Sequence, residues 1–334
     1  MRPILPEPAE AAYAAAMIID AAQWFRLGIG DAERVAATIA TRCGATTVEV
    51  REHEYAGRRG PVAYFLVEGE RFAFVPGGRV TVGFDGDRFE PTPEQEESFA
   101  ESAAEYGIEA GIRQFTDSVT SPRRTVVVPP LLVAVDAVEA GAVAAAPDHP
   151  EIVRRVDRLR NRPRSAAEPP PTQVEWSGAR VTLRPDWTVE SAWLLDAPSY
   201  DGEVARLAGL GQRLLTPDEW EHACGAGAAS LFRWGDSNPG RDPWSARTGP
   251  HREPNRFGLR IGEDPYRPER TAARDVVCGG DGGTAVCGGA GSYLSWLTIA
   301  TAYRDIHYAA EVANDDSFGT MLLRPAIPLA GVEL

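Results

Sequence analysis

The chain contains no lysine; all 34 of its basic side chains are arginine. With 48 carboxylates against them the formal net charge is −14. That balance argues against a nucleic-acid surface, because neutralising phosphates needs clustered positive charge. The missing lysine, together with the abundance of alanine, reads as a coding bias and carries no function. Long apolar runs are missing too: no stretch reaches the roughly 18 residues that a spanning helix requires, so no membrane segment is expected. Met1 to Pro8 lack the apolar core of a secretory leader, and the expectation is a cytoplasmic protein. Four cysteines (Cys43, Cys224, Cys278, Cys287) in 334 residues do not make a disulfide framework. The five histidines (His53, His149, His222, His251, His307) form no ligand-spaced pair on a helix. Each reads as a surface or hydrogen-bonded side chain. No Gly-x-Ser-x-Gly elbow surrounds Ser292 or Ser295, which weakens a hydrolase reading.

What is present is ordinary for a globular protein, with 25% charged and 43% hydrophobic residues. Length sets an expectation of one large or two modest domains. Residues 9–27 are alanine-rich, with Tyr13, Met17, Ile18, Ala21 and Phe25 at helical spacing. A second helix is predicted from a cap at Asp31 through Arg42, closed by Gly44. Thr46–Glu52 and Val62–Val67 alternate as strands. Glu70 to Gly83 predicts two short strands around a Pro-Gly-Gly turn. Pro91–Tyr106 reads as a solvated acidic helix, and Arg124–Glu139 as a buried strand entering a helix. Glu151–Asn161 is a helix bearing Arg154, Arg155, Arg158 and Arg160. The Pro-rich run Pro163–Pro171 follows it, too stiff for helix and too polar for core. Residues 150–172 therefore read as an exposed Arg/Pro-rich insertion. Beyond Gln173 the composition, rich in Trp, Gly and Asp, suits loops on a small sheet. The fold class expected is α+β and loop-rich.

The most informative stretch is Arg213 to Ala223, RLLTPDEWEHA. Thr216 is placed to cap a helix, Pro217 occupies its first position, and Glu219 can reach back to the cap's own amide. Trp220 and Ala223 then share one face. This stretch resembles the R-L-P-T-E-A-E-W-E-Y-A signature of formylglycine-generating enzymes, the sulfatase-modifying factors. Arg233 to Asp236 (RWGD), Pro254 to Leu259 (PNRFGL) and Gly291 to Leu294 (GSYL) continue the resemblance in the family's order. Phe72 to Gly83 resembles its opening F-x-x-I-P-G-G strand pattern. The resemblance implies a variant of the C-type lectin architecture over residues 59–334, preceded by an N-terminal helical extension, residues 1–58. Residues 84–122 match no element of that core.

The family's reaction depends on two cysteines spaced C-x4-C just after G-G-S-Y/W-L, whose thiolates hold Cu(I). Laid on this chain those positions are Ser295 and Ala300, neither of which supplies a thiolate, so copper is not expected. The G-N-V-W-E-W segment that helps to bind calcium in the family is replaced by Arg260 to Glu269. Glu263 and Asp264 remain as oxygen donors, and calcium is left open. The closing G-F-R is blurred into Gly319 to Pro325. A related branch holds iron on an H-x3-H-x-E helix, which this chain lacks. The segment that lines the family's substrate groove carries Ser292, Tyr293, Ser295, Trp296, Tyr303, Arg304 and His307, residues suited to stacking and charged hydrogen bonds.

The resulting expectation is a scaffold that binds a peptide, a protein or a small molecule without the copper oxidase reaction. An oxidoreductase with a rearranged metal site at Cys278 and Cys287 is the alternative from another class. A third is an assembly subunit that docks a protein partner through residues 1–58.

Overall fold

Pro61 to Phe65 are buried without interruption, because the strand carrying them is covered on both faces. Val62 and Tyr64 face one core cluster, while Ala63 and Phe65, by period-two alternation, face another. The computed structural model describes residues 20–162, 171–176, 178–195, 199–314 and 321–329. Most of the helix expected over 9–27, nearly all of the Pro-rich run and the first two residues of Gly319–Pro325 lie outside the described residues.

Strands β1 (Thr46–Tyr55) and β2 (Arg58–Val67) form a hairpin that places Tyr55 opposite Arg58. β3 (Glu70–Val75) continues it, and β4 (Gly78–Val82) turns away after Pro76-Gly77 to pair with β5 (Arg124–Val128). β6 (Leu131–Ala134) returns to β3, with Phe74 opposite Leu132. The short strands that follow are β7 (Val138–Glu139), β8 (Ala142–Ala144), β9 (Gln173–Trp176), β10 (Ala179–Leu183) and β11 (Val189–Leu195). The last are β12 (Arg213–Leu214), β13 (Glu269–Arg270), β14 (Val277–Cys278), β15 (Leu322–Leu323) and β16 (Pro325–Pro328). They assemble as an antiparallel sheet β1-β2-β3-β6-β16-β12, a second antiparallel sheet β8-β11-β10-β9, and a small mixed sheet β14-β13-β15-β7. The fold is α+β with several antiparallel sheets. Among the described residues no helix is long and apolar enough to cross a membrane.

One face of the main sheet is closed by the helix Ile29–Cys43, which buries Ala32, Ala36 and Ile39 against Phe65, Phe72 and Phe74. This helix starts at Gly28; Asp31, expected as its cap, lies inside its first turn, and Gly44 closes it in the left-handed conformation. The hairpin β1–β2 spans residues 58 and 59, so the described part of residues 1–58 is continuous with the main sheet. The other face packs on the helix Pro217–Gly225, which buries Trp220 and Ala223 as its sequence predicts. Its capping box forms in full: the Glu219 amide donates to Thr216 Oγ1 at 3.3 Å, and the Thr216 amide to Glu219 Oε2 at 2.8 Å.

Three expectations are corrected. Arg124–Glu139 holds three strands, β5, β6 and β7, and no helix, because Pro129-Pro130 removes two amides and ends the first strand. The helix Pro150–Arg160 is not an exposed insertion: Ile152, Val156 and Leu159 pack on Ala179, Val181 and Ala192 of the second sheet. The acidic helix Pro93–Tyr106 is solvated on one side only, since Phe99 and Ser102 are buried. It packs with the helix Gly291–Leu297 in a cluster formed by Phe84, Phe89, Phe99, Tyr293 and Trp296.

Candidate functional site

Four segments far apart in sequence meet in one hydrogen-bonded knot. Arg213 forks onto Glu219 with two bonds of 2.6 Å, tying β12 to the start of the Pro217–Gly225 helix. Trp220 on that helix donates to Glu269 Oε2 at 2.8 Å. Arg324 meets the same carboxylate at 2.8 and 2.7 Å and donates to the carbonyls of Ala134, Val135 and Arg260. Asn255 donates to the carbonyls of Ala223 and Cys224 and accepts the amides of Phe257 and Leu259. Gly258 completes this turn with φ +84°, and a Cβ there would lie 2.5 Å from the Tyr64 hydroxyl oxygen.

The residues expected to line a ligand groove do not gather at an open surface. Tyr293 and Trp296 are fully buried; the Tyr293 hydroxyl meets Thr116 Oγ1 at 2.5 Å, and Trp296 Nε1 donates to the Gly240 carbonyl at 3.1 Å. Their reading as exposed stacking platforms is thus overturned. The cause is residues 84–122, whose Phe84, Phe89 and Phe99 cover them. The same segment is stitched to residues 302–304: the Ser121 amide donates to the Ala302 carbonyl and the Arg304 amide to that of Val119. Ser292 is half-buried and bonded to Asn238 and the Gly240 carbonyl. Ser295 and Ala300, at the family's cysteine positions, are 4% and 0% exposed. Arg304 is taken up by Glu221, a buried carboxylate that also accepts from Ser121, Arg124 and the Gly83 amide. Burial raises the Tyr303 phenol above its usual range, with Asp305 adding to it. Only His307 stands exposed.

The two cysteines of the rearranged-site expectation sit in different surroundings. Cys278 is buried in the main core, where burial pushes its thiol up to about 12 and Cys224 is its neighbouring thiol. Cys287 is exposed, its Sγ 3.2 Å from the Tyr266 hydroxyl. All four cysteines are free. Among the described residues no group of three or more His, Cys, Asp or Glu is arranged to hold a metal ion.

Beside the knot opens a charged cleft of about 200 Å³, lined by Asp136, Arg252, Arg260, Glu263, Asp264 and Arg267 among others. Most of its charges are answered. Arg260 faces Asp136 at 3.5 Å and Glu263 at 3.3 Å, and Arg267 pairs with Glu139. Arg252 pairs with no carboxylate among the described residues; its Nη2 donates to the Pro243 carbonyl at 3.1 Å. Glu263 Oε1 is buried outside hydrogen-bond geometry. Burial raises the Glu263 carboxyl above its usual range, against the pull of Arg260, Arg233 and Arg252. Behind the cleft wall Arg233, 1% exposed, donates to the Gly262 and His251 carbonyls and meets no carboxylate among the described residues. Glu263 thus faces guanidiniums, not the additional oxygen donors that calcium takes. Asp264 Oδ1 is occupied by the Tyr266 amide at 3.0 Å.

Sequence reasoning singled out Glu263 and Asp264, took Arg233 only as part of the RWGD resemblance, and missed Arg252. Scattered arginines carry no spacing signal; only the fold shows which of them lack a counter-charge. Comparison with known proteins finds no family model that matches the chain and no curated protein that matches it.

Proposed function

We propose that this chain is a formylglycine-generating-enzyme-like scaffold that binds a small zwitterion, or the charged end of a peptide, without catalysing copper-dependent cysteine oxidation. The observation that carries the binding reading is one cleft holding both Arg252, a guanidinium with no carboxylate partner among the described residues, and Glu263, a carboxyl whose buried Oε1 makes an ion pair with Arg260 at 3.3 Å but accepts no well-formed hydrogen bond. Arg252 supplies a two-pronged donor for a carboxylate. Glu263 supplies an acceptor for an ammonium group a short distance away.

Support for the scaffold comes from the knot. The capped helix, the Asn255–Leu259 turn, Glu269 at the end of the segment after that turn, and Arg324 in the blurred closing motif are the stretches on which the resemblance rests, and they converge. Support for the lost oxidation comes from Ser295 and Ala300, a hydroxyl and a methyl where the family's chemistry needs two thiolates. The alternative at Cys278 and Cys287 is disfavoured by one thiol lying in the core and the other facing solvent. Four free thiols suit a reducing compartment, and the reading places the protein in the cytoplasm.

Titration calorimetry with free L-amino acids tests the binding reading. An amino acid should release heat on the wild type, weaken tenfold or more on Arg252→Gln and on Glu263→Gln, and lose binding when its amino or its carboxylate group is removed. Absence of binding across the amino acids, or binding that both variants leave untouched, contradicts the proposal.

A further inference from the structure

The molecule holds a second cleft, at His222 of the Pro217–Gly225 helix, whose charge is not balanced. Its volume is about 210 Å³, and Gly83, Phe84, Arg88, Arg123, His222 and Gly227 are among the residues lining it. We propose that this cleft binds a small phosphorylated ligand, with the phosphate gripped by Arg88 and Arg123 and by Arg58 at the Gly227 rim. This inference does not rest on the zwitterion cleft.

The argument starts from counter-charge. Arg88, Arg123, Arg58 and Arg256 form no ion pair with any carboxylate among the described residues, in a chain whose net charge is −14. Asp85 is the acid on the cleft lining. His222 adds no charge: burial holds its imidazole below the usual range, and its Nε2 meets the Pro76 carbonyl at 2.8 Å. Arg58 reaches the rim by donating from Nη1 to the Gly227 carbonyl at 3.2 Å.

Arg256 sits beyond Arg58 and is fixed in place. Its guanidinium stacks 3.5 Å from the centre of the Phe25 ring, and that ring stacks in turn on Phe257. Arg256 Nε is buried without a hydrogen-bond partner. Both guanidiniums are pulled below their usual range by burial, and Arg58 adds its repulsion to Arg256. Two like charges held together, half-buried and unanswered, are a cost that a bound polyanion removes. Guanidinium forks match phosphate oxygens, and rigid placement lowers the entropy lost on binding. The space is smaller than the roughly 300 Å³ at which drug-sized pockets begin, which suits a phosphate or a diphosphate group and little more.

The test is calorimetry on the full chain at low ionic strength with inorganic pyrophosphate and inorganic phosphate. Pyrophosphate should bind, orthophosphate more weakly, and the Arg58→Gln/Arg123→Gln double variant should lose tenfold or more in affinity for both. Arg58→Lys/Arg123→Lys keeps the charge without the fork and should fall between the two, so a folding failure in the glutamine variant leaves a second readout. Arg184→Gln, at an exposed ion pair with Glu190 outside both clefts, should bind pyrophosphate as the wild type does. The proposal is overturned if the wild type binds neither anion, if the lysine and glutamine variants bind as the wild type does, or if a glutamate-rich peptide binds and pyrophosphate does not.

Discussion

Glu269 and Arg324 stand 55 residues apart in sequence and meet through two parallel bonds of 2.8 and 2.7 Å, both side chains out of water. Trp220 adds a third bond to the same carboxylate. Removing one partner of such a pair strands a buried charge, at a cost of about 3–5 kcal/mol. Arg324→Met should therefore lower the unfolding free energy by about that amount. Glu269→Leu added to it should recover part of the loss, because the orphaned carboxylate is gone. Denaturant midpoints of the single and double variants decide the matter; a double variant weaker than the sum of its parts contradicts this reading.

Acid should weaken the fold through His251. Its ring is fully buried, Nε2 lies 3.1 Å from the Ala246 carbonyl, and burial lowers its pKa to about 4. The unfolded chain, near the usual value of about 6.5, then binds the proton first. Stability is fully present above pH 6.5 or so and falls as pH drops towards about 4. His222, lowered by burial as well, acts in the same direction; Glu263 and Asp281, both raised by burial, act against it. Between pH 6.5 and 4, His251→Gln should show a shallower loss of melting temperature than the wild type. An unchanged slope contradicts the assignment.

The thiols should divide by exposure. Cys287 is exposed and Cys43 half-buried, while Cys224 and Cys278 are buried with thiols raised by burial. A thiolate reagent should therefore label Cys287 first and Cys43 more slowly. Cys224 and Cys278 should react only on unfolding. Fast labelling of Cys278, read by peptide mass spectrometry, would mean that the core is open at β14.

Deleting residues 1–58 should unfold the core instead of freeing it. The deletion removes β1 and the helix that buries Ala32, Ala36 and Ile39 under the main sheet. Ile39→Ala alone should cost about 2–5 kcal/mol. A truncated chain with a native near-ultraviolet dichroism spectrum and a cooperative melt contradicts this account and revives residues 1–58 as a detachable docking segment.

Local chemistry was legible in the sequence and long-range cover was not. Thr216, Pro217 and Glu219 announced their helix because a capping box needs only neighbours in the chain. The strands at Thr46, Val62 and Glu70 were readable from alternation and turn residues. Tyr293 and Trp296 could be read as groove or as core, and what decided it was the packing of residues 84–122, which sequence spacing does not report. Arg324 and Glu269 looked like remnants of eroded motifs until the fold brought them together. Arg252, Arg58 and Arg256 matter for what they do not touch, and no linear pattern carries that information.

The most direct measurement is metal content by mass spectrometry after separate anaerobic reconstitution with Cu(I), Fe(II) and Ca(II). A scaffold with Ser295 and Ala300 at the thiolate positions should retain no stoichiometric copper or iron and should consume no oxygen with a cysteine-containing peptide. One copper or iron per chain, lost on Cys278→Ser or Cys287→Ser and accompanied by oxygen uptake, would contradict the account and make the protein an oxidase.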